Sequence, residues 1–149
     1  MRRISIAAAA LCLVSTTSGG APEDAIRYRQ AVMTAMSGHV AAISLIFSGK
    51  VEHQQYLLSH AEALATTADQ VGKVFPADSA TGKTRALPLI WQEPEKFQKA
   101  TETIKAATGQ LRDAVKGGDE AAIGQAMKPV FDACKGCHDR YRKEDEKKT

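Results

Sequence analysis

Cys134-Lys135-Gly136-Cys137-His138, five residues near the end of a 149-residue chain, constrain its fold more than any other stretch. C-x-x-C-H is the arrangement through which a c-type haem is attached to protein. Two cysteine sulfurs join the haem vinyl groups as thioethers, and the adjoining imidazole can reach the iron as an axial ligand. On a helix turning about 100° per residue, Cys137 falls about 60° to one side of Cys134 and His138 about 40° to the other, so the three share one face. The rest of the chain then has to enclose one covalently attached haem c. Two other chemistries use the same residues: a thiol-disulfide pair and a zinc site. The first expects a strand-rich thioredoxin-like setting, and the second needs another Cys/His pair at ligand spacing, which this sequence lacks.

The beginning of the chain fits that reading. Residues 1–20 open on Arg2 and Arg3, continue through an apolar run over residues 4–14 and end in small polar residues, the pattern of a cleaved secretory signal. The apolar run is too short to span a bilayer, and no later stretch is read as a span. Cys12 leaves with the signal, so the two cysteines of the motif are the ones that remain. Export here implies the periplasm, the compartment of haem attachment, rather than a disulfide framework. The chain has 20 Lys and Arg against 17 Asp and Glu, and loss of Arg2 and Arg3 brings the two nearly level, which argues against nucleic acid as a partner. Residues 21–149 suffice for one domain with one core. An aromatic content of 5% leaves room for a planar cofactor in that core.

Helical periodicity recurs four times and predicts an all-α, antiparallel four-helix bundle. The first seam is Ile26, Arg29, Met33, Met36, Val40, Ile43 and Phe47, with Pro22 at the start and Gly49 as a stop. Arg29 is its anomaly, because a guanidinium on a core seam needs a partner. A second helix is expected over residues 51–71, with Leu57, Ala61, Leu64 and Ala68 inward. Two prolines and many small residues between Phe75 and Trp91 predict a long connection covering one haem edge. A third helix opens at Pro94, runs through Phe97, Ile104, Ala107 and Leu111, and stops at Gly117-Gly118. Asp119 caps the fourth, whose seam of Ile123, Met127, Val130, Cys134, Cys137 and Tyr141 carries the haem cysteines into the bundle. Pro129 predicts a kink one turn before the motif. The tail after Arg140 reads as charged and solvated.

Pro22-Glu23-Asp24-Ala25 leading to Tyr28-Arg29-Gln30, then Pro88-Leu89-Ile90-Trp91, and the motif near the C-terminus followed by Asp139-Arg140-Tyr141-Arg142, together resemble the class II cytochromes c. That family contains cytochrome c prime and the low-spin cytochrome c-556, and the resemblance covers essentially the whole mature chain. It implies thioethers at Cys134 and Cys137, proximal iron ligation by His138, haem-edge contacts from Arg29 and Gln30, and a basic neighbour, Arg142, beside the proximal histidine. It also implies a homodimer formed through the first two helices, for which residues 40–47 are the candidate contact.

Met33 occupies the position that faces the sixth iron site in this family. A thioether bound there gives a low-spin His/Met haem and a single-electron carrier that serves redox partner proteins. If the thioether only packs, the iron is five-coordinate and the chain resembles cytochrome c prime proper, which binds nitric oxide or carbon monoxide. The expectation favours ligation, because Gln30-Ala31-Val32-Met33 and Ala126-Met127-Lys128-Pro129-Val130 look closer to the low-spin branch. His39, His53 and His60 read as surface histidines. No nucleophile and base pair, phosphate loop or carboxylate cluster stands out, so an enzyme is not expected.

Overall fold

The computed structural model describes residues 21–144. The signal-peptide expectation for residues 1–20 and the end of the charged tail lie outside the described residues. Helix α1 (Pro22–Phe47) starts with proline in its first turn, where the missing amide hydrogen is not needed, and with Glu23 and Asp24 against the positive end of the helix dipole. Helix α2 (Leu57–Ala68) follows a 3-10 turn, Gln54–Tyr56. It is shorter at both ends than its sequence pattern predicts. Before Leu57 the apolar repeat is missing, and the Gln54 side-chain amide instead donates at 3.1 Å to the Ile46 carbonyl, which also accepts from the Gly49 amide at 3.0 Å where α1 ends.

The long connection contains a one-turn helix, α3 (Leu89–Gln92), so the described chain has five helices where four were expected. The four long ones form the bundle. Helix α4 (Pro94–Gly117) closes on Gly118 at φ 75°, a left-handed conformation that glycine adopts without steric penalty. Asp119 then caps α5 (Glu120–Tyr141) as expected, its carboxylate accepting from the amides of Ala121 and Ala122. Helix α5 runs through Pro129 to Tyr141 as one element. The packed pairs are α1 with α2, α2 with α4 and α4 with α5. Among the described residues there is no strand, only an isolated antiparallel bridge between Ala86 and Arg142.

The main core is built from Met36, Ile43, Ile46, Leu57, Leu64, Ile104, Leu111, Ile123 and Val130, all buried. On α1 the inward face is turned slightly from the predicted seam: Val32 and Ile46 are buried, whereas Met33, Val40 and Phe47 are only partly so. A helical seam is about 100° wide, so residues adjacent to a predicted position compete for the deepest site. Helix α1 also has the length and apolarity of a membrane span, with mean hydropathy 1.4 over its best window. The match is one of length and composition only, which a core helix also meets, and the buried side chains of α1 include an arginine.

His39 and His60 are partly buried where surface histidines were expected, while His53 is exposed as read. The two rings are half-buried on α1 and α2 with Nδ1 atoms 3.1 Å apart, one donating and the other accepting. Burial, and then the neighbouring His60, lower the pKa of His39. No Asp, Glu, Lys or Arg occurs on α1 after Arg29, and Glu62 is the one such residue on α2. A histidine whose folded pKa is depressed makes the unfolded chain the better proton binder. Its stabilisation is therefore complete above about pH 6.5 and falls as the pH drops through the lowered value. Urea midpoints should decline between pH 7 and pH 5, and the decline should be shallower for His39→Gln.

Candidate haem site

The last two turns of α5 carry the motif. Cys134 and Cys137 are half-buried, free thiols. Cys134 packs against the main core, while Cys137 packs against a second apolar cluster formed by Ile90, Phe97 and Tyr141. The pair therefore spans the seam between the bundle and the connection. Burial raises the pKa of Cys134, and burial followed by Cys134 raises that of Cys137 to about 11, against a smaller lowering by Arg142. Reactive redox cysteines are held below the ordinary thiol value, commonly at a helix N-terminus. These thiols have the opposite environment, at a C-terminal end. Among the described residues no group of three or more His, Cys, Asp or Glu is placed to hold a metal ion.

His138 is half-buried, and its pKa is lowered by burial first, then by Arg142 and Arg85, against an opposing effect of Asp139. A neutral imidazole is the form that ligates iron. The two arginines are brought in by the clasp between the connection and the end of α5. Leu87 donates its amide to Tyr141 at 2.9 Å, and Lys143 donates to Arg85 at 2.8 Å. Lys135 and Asp139 pair on the outer face of α5.

Arg29 is 3% exposed, which excludes an arginine snorkelling to solvent. Its guanidinium donates to the Ser79 hydroxyl at 2.6 Å, the Ser79 carbonyl at 2.9 Å and the Thr84 hydroxyl at 2.7 Å. It also lies over the rings of Phe75 and Trp91, 5.1 and 5.8 Å from their centroids. The partner that a guanidinium on a core seam needs is supplied within the protein by the connection, which offers three acceptors. Burial lowers its pKa, and three charge-assisted hydrogen bonds offset the cost of burying it. Gln30 is exposed and donates to the Lys83 carbonyl at 3.0 Å, joining the same loop to α1.

The sequence profile of cytochrome c prime matches residues 24–142. The chain belongs to the cytochrome c prime family. It is 31% identical to cytochrome c prime of Rhodospirillum rubrum over 145 residues, covering 95% of this chain and 99% of that one. Its fold superimposes on cytochrome c prime of Shewanella frigidimarina with a TM-score of 0.78 at 31% identity, over 83% of this chain and 97% of the other. A nitric oxide complex of a variant cytochrome c prime from Alcaligenes xylosoxidans gives 0.74 at 28% identity, over 83% and 97%. As in its relatives, the cofactor is covalently attached haem c, and the antiparallel four-helix bundle is the family fold.

The donor set suits that cofactor: two sulfurs and an imidazole on one helical face, with Cys137 packed against the apolar cluster of Ile90, Phe97 and Tyr141. In this cytochrome c prime relative, Met33 is half-buried and packed against the main core, and Arg142 is exposed at the end of α5. Ser79, Thr84 and Arg85 went unnoticed in the sequence. Their one signal is a cluster of small polar and basic residues in the connection, and that pattern is equally common in loops with no role.

Proposed function

We propose that the chain is an exported, periplasmic cytochrome c prime whose haem is joined to Cys134 and Cys137, ligated by His138, and five-coordinate, with its open side available to nitric oxide or carbon monoxide. The observation that carries this reading is kinship over nearly the full length: relatives named cytochrome c prime, one of them studied as a nitric oxide complex. It reverses the order of the two readings weighed in the sequence, where a His/Met low-spin carrier stood first. Bound haem supplies an iron that exchanges one electron with partner proteins and takes a diatomic ligand. The protein's own residues do the rest. The cysteines fix the position, His138 presents its lone pair while its neighbouring arginines disfavour protonation, and Met33 fills apolar space as a flexible packing residue.

Titration of the reduced holoprotein with nitric oxide or carbon monoxide tests this directly. About one equivalent should be taken up with no lag for displacement of an internal ligand. If carbon monoxide fails to bind until Met33 is replaced by Ala, the thioether is the sixth ligand and the carrier reading is restored.

Self-association is the second part of the reading. Val40, Ile43, Ile46 and Phe47 pack into the chain's own core, so within the expected contact at residues 40–47 the exposed side chains are Ala41 and Leu45. The exposed, uncharged surface of α1 that is left, including Ala31, Ala35, Ala41 and Leu45, suits a second copy of the same helix. Sedimentation should show a dimer at micromolar concentration, and Leu45→Lys should shift it toward monomer. A wild type that remains monomeric at every concentration rules the contact out.

A further inference from the structure

Tyr141 holds the one buried side-chain oxygen or nitrogen among the described residues that makes no hydrogen bond. The residue is 4% exposed. Its ring meets Phe97 edge-on at 5.2 Å and packs in the cluster that includes Ile90 and Cys137. Arg140 lies over the same ring at 5.7 Å, with its guanidinium drawn to Glu93 and interacting more weakly with the Tyr141 oxygen, outside hydrogen-bond geometry. Arginine offers donors only, so this neighbour gives the phenolic proton no acceptor. A buried hydroxyl without an acceptor is destabilising, and such groups are rare unless something further occupies the site.

The position of the residue indicates what that occupant is. Tyr141 follows Cys134 by seven residues and Cys137 by four. At about 100° per residue it stands within about 20° of the first and about 40° of the second, on the haem-bearing face. A string of aromatic contacts connects it to Arg29: the guanidinium over Phe75 at 5.1 Å, Phe75 on Phe97 at 4.9 Å, and Phe97 on Tyr141 at 5.2 Å. Haem c carries two propionate carboxylates, and a propionate reaching this cluster would supply the missing acceptor. We infer that Tyr141 is a haem-binding residue whose hydroxyl donates to a haem propionate. The inference rests on covalent haem at Cys134 and Cys137.

Tyr141→Phe removes the hydroxyl and keeps the ring against Phe97. Wild type and variant would be made as holoproteins, and covalent haem confirmed in each by the pyridine haemochrome spectrum after denaturation. A wild type without haem would defeat the underlying reading, separately from this one. In holoproteins of equal haem content, the propionate bending band in the resonance Raman spectrum should shift in the variant, and the urea midpoint should fall. An unmoved band overturns the inference whatever the midpoint does, since loss of stability alone would reflect packing. If the variant does not accumulate, replacing tyrosine with 3-fluorotyrosine, which leaves the ring in place and strengthens the donor, should move the same band, and no movement there is equally decisive.

Discussion

Cys134→Ala combined with Cys137→Ala should reduce covalently bound haem to background. Holoprotein of the wild type should stay red through denaturation and acid-acetone extraction, and a haem-stained denaturing gel should show its band. The double variant should lose both pigment and band. The reason lies in the number of attachments: each sulfur provides one thioether, so either single variant should keep one covalent link and an altered absorption spectrum, because one vinyl group remains conjugated. His138→Ala should behave differently again, keeping the covalent pigment while changing the iron spectrum, since the imidazole binds the metal and not the macrocycle. Retention of normal pigment by the double variant would show that the motif is a bystander.

The second large effect is expected at Arg29. Replacing it with Ala leaves the Ser79 carbonyl, the Ser79 hydroxyl and the Thr84 hydroxyl without their buried donor, and opens space beside Phe75 and Trp91. Net contributions of hydrogen bonds to charged groups are about 1.5–3 kcal/mol, and they are not additive within one side chain. A loss of roughly 3 kcal/mol is therefore expected from urea unfolding of the holoprotein, with the connection becoming sensitive to proteolysis first. Arg29→Lys keeps a charge but not the planar fork that reaches two residues at once, so its loss should be intermediate. Ser79→Ala should cost less than either. Equal stability of Arg29→Ala and wild type would mean that the loop is not anchored through this side chain.

Much of the bundle was legible because burial repeats along a helix. Ile26, Leu57, Leu64, Ile104, Leu111, Ile123 and Val130 were all read as inward from spacing alone, and all are buried. The motif was legible for a different reason, since its chemistry is local to five residues. Contacts between distant segments leave no such periodicity. Ser79 and Thr84 reach Arg29 across 50 and 55 residues, and the His39–His60 pair joins two helices across 21. The choice between Val32 and Met33 for the deepest position on α1 was also beyond spacing, because it depends on a rotation of a few tens of degrees set by the packing of α2. That rotation bears on function. It leaves Met33 at the margin of the core, and whether a thioether there binds iron is decided by tertiary placement, to which a helical repeat is blind.

Resonance Raman spectroscopy of the reduced holoprotein, recorded before and after addition of one equivalent of nitric oxide, reads coordination number and ligand uptake in the same sample. The account predicts a five-coordinate, high-spin haem that takes up the ligand at once, with Met33→Ala leaving the starting spectrum unchanged. A six-coordinate, low-spin spectrum in the wild type, converted to five-coordinate by Met33→Ala, would contradict it.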